Sequence, residues 1–296
     1  MPTINKRTTT TLLILLLSVT VFAQRKVFLK WKLQSNEVIA YKTTMQEIDT
    51  ANYKDLSVNL NGMFGNLGMN YEDSTTNKEI EAIRFLTKLN KYLNSNIITY
   101  LTESKKGLID ISMNYQKTDT ASTNAKDTSQ NDISKMMELM MKNVQLRGAI
   151  NDSGIIQSFY VKNDQRNLIA IFFQLPDKEI KIGDSWPLDV HFISMDQNFK
   201  GDTSYHKNLV SLIGIKKVNG ETMAFLKYDI TEYVSGDYIS PYDGAIKKTM
   251  MKMTLNALAE FSVDKGRWVS YDGVMSLIAN GMLNSHTIKK VSLLPQ

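Results

Sequence analysis

Met251-Lys252-Met253-Thr254-Leu255-Asn256-Ala257-Leu258-Ala259-Glu260-Phe261-Ser262-Val263 decides how this chain folds. Every second residue from Met251 to Val263 is apolar or small, and the residues between are polar except Leu258. Side chains leave a pleated backbone in opposite directions, so this alternation predicts a strand with one buried face. The alternation resumes after Asp264-Lys265-Gly266 with Val269, Tyr271, Gly273, Met275, Leu277, Ala279 and Gly281. A type I turn closed by a left-handed glycine joins two strands in three residues. That loop places Val263 opposite Arg267, Phe261 opposite Val269, Ala259 opposite Tyr271 and Ala257 opposite Gly273. Leu255 then meets Met275 and Met253 meets Leu277. The apolar residues of both runs share one face in this register, and a slip of one residue would turn every side chain over.

The same turn chemistry recurs elsewhere. Phe28–Leu33 and Val38–Thr43 read as an opening hairpin. Ile97–Tyr115 reads as a second one around Lys105-Lys106-Gly107, and Leu146–Val161 as a third around Asp152-Ser153-Gly154. The third sets Ile150 against Ile156 and Leu146 against Tyr160. Thr203–Tyr233 turns at Asn219-Gly220, the strongest two-residue hairpin signal. It sets Ile215 against Ala224, Ile213 against Leu226 and Leu209 against Ile230. A strand is expected at Leu188–Ile193 after the Gly183-Asp184-Ser185-Trp186 turn, and a closing strand at Ile288–Leu294.

Three segments carry helical spacing instead: Lys78–Leu93, the short Ile133–Val144, and Asn163–Leu175, which Pro176 stops. Successive hairpins dictate an antiparallel sheet, and one this wide coils. The expectation is a β-dominated α+β fold: a large curved antiparallel sheet, a half-barrel of some ten to thirteen strands, with about three helices packed on its concave face.

Residues 1–23 read as a signal peptide, with Lys6 and Arg7 before the apolar Leu12–Phe22 run and a small-residue cleavage site ending at Ala23. The run is about half of what a membrane helix needs. An exported protein, periplasmic or secreted and not membrane-spanning, is the expectation. Residues 24–296 then form a single β-rich domain, with a flexible excursion at 117–132, where Thr, Ser, Asn, Asp and Ala offer nothing large to bury. The chain has no cysteine, which removes disulfides and thiolate chemistry. Its formal net charge of +5 is spread without basic blocks, so nucleic acid is not an expected partner.

The order of these elements resembles a family of uncharacterised exported proteins from Bacteroidota-type bacteria. The likeness rests on an export signal, Leu29-Lys30-Trp31-Lys32-Leu33, the middle helix with Pro176, Ile180-Lys181-Ile182-Gly183-Asp184-Ser185-Trp186 and Phe261-Ser262-Val263-Asp264-Lys265-Gly266. In architecture alone, the design is similar to periplasmic lipoprotein carriers, whose curved sheet wraps a lipid cavity. Neither resemblance supplies catalytic residues.

No motif reaches a catalytic assignment. His191, His206 and His286 lie in separate segments without metal-ligand spacing, and no Gly-x-Ser-x-Gly elbow or phosphate-binding loop occurs. No cofactor is implied. Met136, Met137, Met140 and Met141 admit three readings: core filling, an adaptable apolar surface, or thioether binding of Cu(I). Small residues on the apolar face of the long hairpin either leave room for a ligand or let other elements pack closely. The candidate ligand-binding residues are Met136, Met140, Ala257, Ala259, Gly273 and Met275. The leading expectation is a non-enzymatic carrier or sensor of a hydrophobic small molecule or lipid. A protein–protein interaction module of the envelope or the secreted fraction stands second, with a protein partner at a sheet edge or the excursion. A hydrolase with a cryptic site stands third.

Overall fold

A computed structural model of the protein describes residues 26–50, 97–104, 107–115, 146–160, 163–194, 197–240, 244–281 and 284–296. The sheet is built from β1 (Val38–Thr50), β2 (Ile97–Glu103), β3 (Ile109–Tyr115), β4 (Leu146–Ile150), β5 (Ile156–Phe159), β6 (Ser185–Trp186), β7 (Phe199–Val218), β8 (Glu221–Ile239), β9 (Ile246–Ser262), β10 (Arg267–Asn280) and β11 (Ser285–Pro295). One helix, α1 (Asn163–Phe173), lies between β5 and β6. All eleven strands form one antiparallel sheet in the order β5-β4-β3-β2-β1-β11-β10-β9-β8-β7-β6, open between β5 and β6. Two meanders thus run outward from the β1–β11 seam. The chain must pass from one edge of the sheet to the other, and α1 makes that passage across the inner face.

The sheet is strongly curled. A Cβ added to Gly148 on β4 would stand 2.4 Å from Cδ1 of Ile169, while Phe172 meets Tyr271 of β10 with ring centroids 5.2 Å apart. β4 and β10 are five strand spacings apart, about 24 Å on a flat sheet. Ile169 and Phe172 are separated by about 4.5 Å along a helix axis. One short helix reaches both strands only because the sheet bends around it.

The expectation of three helices on the concave face is corrected by this arrangement. Lys78–Leu93 and Ile133–Val144 lie outside the described residues, as do residues 1–23, expected as a signal peptide, and 117–132, expected as an excursion. Among the described residues one helix is present, and two irregular segments share the covering with it. The first is 27–33, where Val27 makes a single bridge to Ile180, and Trp31 N–H and Lys32 N–H donate to Asp152 and Gly266 carbonyls. The expected opening hairpin is absent there; β1 pairs with β2 and β11 instead. The second is 187–193, expected as a strand. Both alternate because an extended strap between two layers buries every second side chain just as a strand does.

The long hairpin keeps its register from Ala259–Tyr271 through Met253–Leu277 as expected. Its tip differs. Ser262 faces Arg267, Phe261 faces Trp268, and a bulge before Ser270 takes up the extra residue. Phe261 is fully buried, whereas Val269 turns outward with 42% exposure, so the expected Phe261–Val269 pair is wrong. The four-residue loop shifts the ladder by one, and the bulge shifts it back before the remaining apolar face would be lost. The exchange places Trp268 inside where Val269 was expected. Gly266, with φ +63°, closes the loop; a Cβ there would come within 2.5 Å of the Lys30 carbonyl oxygen.

Two further bulges correct two further registers. Asn219-Gly220 turns β7 into β8 and Ile215 faces Ala224, as expected. A bulge between Leu212 and Gly214 then sets Leu212 against Leu226 and Asn208 against Ile230, leaving Ile213 and Leu209 exposed. In the β4–β5 hairpin Ile150 does face Ile156, but a bulge sets Gly148 opposite Phe159, displacing the Leu146–Tyr160 pair. The β2–β3 register is as read, from Ile97–Tyr115 to Leu101–Ile111.

Candidate functional site

The inner face can be followed as rows running across the strands. Leu212, Leu226, Ala259, Tyr271 and Leu293 form one row. The next joins Trp186, Val210, Tyr228, Ala257, Gly273, Val291 and Met45. Beyond it come Asn208, Ile230, Leu255, Met275 and Lys289, then His206, Glu232, Met253, Leu277 and Thr287, and finally Val234, Met251, Ala279 and Ser285.

α1 reaches the first of these rows at Tyr271, whose ring meets Phe172 at 5.2 Å. Ile169 to Phe173 are all fully buried, because this half of the helix is enclosed by the sheet below and the straps beside it. The last carbonyls of a helix lack intrahelical donors. Here the indoles supply them: Trp268 Nε1–H donates to the Phe172 carbonyl at 2.6 Å, and Trp31 Nε1–H to that of Phe173 at 2.8 Å. The same rings meet one another and Phe261 at 5.0–6.0 Å, mostly edge to face. Tyr41 completes the cluster, its hydroxyl accepting the Trp268 backbone N–H at 3.1 Å.

The 187–193 strap is held by side chains that imitate a neighbouring strand. Asn208 accepts the Leu188 N–H at 2.9 Å and donates to its carbonyl at 2.6 Å. Asn167 does the same for His191 at 2.9 and 2.7 Å, and Gln174 accepts the Asp189 N–H. Glu232 ends the series: one carboxylate oxygen accepts the N–H groups of Phe192 and Ile193 at 2.7 and 2.9 Å. Its other oxygen lies 3.3 Å from His206 Nδ1. A buried carboxylate with two backbone donors is well solvated by the protein itself, and its work here is to anchor the strap.

The candidate residues fall at different depths. Ala257, Ala259 and Gly273 are buried, with Tyr228 directly opposite Ala257 and Tyr271 opposite Ala259. A Cβ on Gly273 would stand 2.6 Å from that of Ala257, so these two positions let β9 and β10 side chains approach closely. Met275 is half-buried and packs on the edge of the core, as does Met45. Met251, Met253 and Leu277 continue the inner face outside that contiguous core, also half-buried. Met136 and Met140 lie outside the described residues.

Three groups escape the sequence reading. Glu232 occupies an inward position in the Leu226-Tyr228-Ile230-Glu232-Val234 alternation, and a carboxylate in that parity was a visible signal. The hydroxyls of Tyr228 and Tyr271 are buried, and no protein group among the described residues accepts from them. Burial drives both phenols well above their ordinary pKa, and the nearby Tyr228 adds to the rise at Tyr271, so both remain protonated donors. The histidines are exposed, and among the described residues no group of three metal-ligating side chains occurs. A separate surface groove of about 450 Å³ lies among Thr102, Asp110, Ser112, Arg147, Ser158 and Tyr160, facing away from the buried rows.

Among the described residues, no helix is long and apolar enough to cross a membrane. No family model matches the sequence, and no curated protein or solved structure matches it.

Proposed function

We propose that this chain is an exported, non-enzymatic binding protein for a hydrophobic small molecule or lipid, working without a cofactor. One observation carries the reading: among the described residues, the inward positions of β9 and β10 stay apolar past the end of the packed core, between the polar Glu232 and His206 on one side and Lys289 and Thr287 on the other. Met253, Leu277 and Met251 extend the face from Met275 and Met45 at the core's margin, and all are half-buried. A sheet that needed its inner face only for its own core would turn polar where the core stops. Flexible thioethers fit an apolar partner of variable shape better than branched side chains do. The strap anchored on Asn208 and Glu232 borders this stretch and gives it a wall.

The test is extraction of the purified native protein followed by lipid mass spectrometry, with acyl-chain titration of the delipidated protein. Binding should weaken when Met253 and Leu277 are both replaced by serine, while the melting temperature stays near that of the parent. An empty extract and no saturable binding would remove the proposal.

A further inference from the structure

The core of this protein satisfies its polar groups with care. The Trp31 and Trp268 indoles each reach a helix carbonyl, Tyr41 pairs with a backbone N–H, and the buried Thr43 and Thr99 hydroxyls share a hydrogen bond of 2.5 Å. Against that background, four buried side-chain atoms have no partner among the described residues. Three of them belong to Trp186, Tyr228 and Tyr271. Trp186 and Tyr228 share one inward row across Val210, and Tyr271 stands in the adjoining row with its ring 5.1 Å from that of Tyr228. A buried hydroxyl without an acceptor is costly, and native cores rarely place two side by side.

Resting on the reading of a hydrophobic ligand on this face, we propose that the Tyr228 and Tyr271 hydroxyls are its polar anchor, donating to one uncharged oxygen such as the carbonyl of an acyl ester. Both groups are donors seeking an acceptor. Their neighbours Leu226, Ile230, Ala257 and Ala259 are apolar and buried, a setting that takes a neutral carbonyl and rejects an unpaired carboxylate. From Tyr271 the inner face of β10 leads through Gly273, Met275 and Leu277 to Ala279, eight residues or about 26 Å of strand, long enough for an extended acyl chain. The anchor would therefore hold the head of the ligand within the core, with its tail running outward past Gly273 to Met275 at the margin.

The experiment compares methyl dodecanoate with dodecane by tryptophan fluorescence, on the parent protein and on Tyr228→Phe, Tyr271→Phe and the double variant. Melting curves of each ligand-free protein accompany it. Two neutral hydrogen bonds predict that the parent prefers the ester by about tenfold. In the double variant that preference should vanish while alkane affinity holds, and the ligand-free melting temperature should stay level or rise. Equal binding of ester and alkane by the parent would overturn the anchor and leave the hydrophobic site standing. An unchanged ester preference in variants that melt lower would also overturn it, assigning the hydroxyls to an internal water. Failure of both probes to bind would remove the site itself.

Discussion

Replacing Trp268 by phenylalanine isolates the contact that fastens α1 to the sheet. The indole is 1% exposed and donates to the Phe172 carbonyl at 2.6 Å. Phenylalanine keeps most of the ring's edge-to-face packing on Phe261 and Tyr271 but deletes the donor. The carbonyl is left buried at a helix end where no intrahelical N–H can reach it. Losing the bond and stranding its acceptor costs about 1–3 kcal/mol, and the smaller ring adds about 1 kcal/mol for the unfilled space. The expected loss is about 3 kcal/mol, read as a lower urea midpoint at unchanged slope. Trp31→Phe removes the matching bond to Phe173 and should cost a similar amount. Both indoles hold the same helical turn, so the double variant should lose less than the sum, by about 1 kcal/mol. Strict additivity, or a loss below about 0.5 kcal/mol for either single variant, would refute the idea that the indoles complete the helix.

Other perturbations test the remaining framework. Glu232→Ala strands two part-buried N–H groups of the strap and should cost about 1–3 kcal/mol, with limited proteolysis shifting to 187–193; Glu232→Gln, which keeps one acceptor, should cost less. Gly273→Ala forces a Cβ to within 2.6 Å of Ala257 and should destabilise by about 1–3 kcal/mol; adding Ala257→Gly should restore much of the loss in thermal melts. Asp264 accepts the Thr222 N–H at 2.6 Å, and this bond holds its carboxyl below the usual range. A pKa depressed by folding stabilises above the unfolded value and is lost as pH falls through the folded one. Asp264→Asn should therefore lower the melting temperature at neutral pH and narrow its gap to the parent on acidification below about pH 4, as followed by calorimetry.

Alternation from Met251 to Ala279, with the turn at Gly266, was enough to pair β9 with β10, because a slip of one residue would take Ala257 and Ala259 off the face of Tyr271 and Gly273. Turn chemistry at Asn219-Gly220 and Gly266 likewise announced where the chain reverses. A local pattern of this kind is written into the residues themselves, since side-chain direction follows from backbone geometry alone. The bulges were not legible. Whether Trp268 or Val269 turns inward depends on what waits across the core, and that is the Phe172 carbonyl, distant in sequence by nearly a hundred residues. The straps at 27–33 and 187–193 read as strands because alternation reports burial of every second side chain and says nothing about who supplies the hydrogen bonds. Asn208, Asn167 and Glu232 supply them at 187–193, and the backbone of Asp152, Ile180 and Gly266 at 27–33, from segments that only folding brings near. The unmet hydroxyls of Tyr228 and Tyr271 belong to the same class. An aromatic residue in an apolar parity is determined by sequence, but whether its polar end finds a partner is decided only when the curled sheet closes around it.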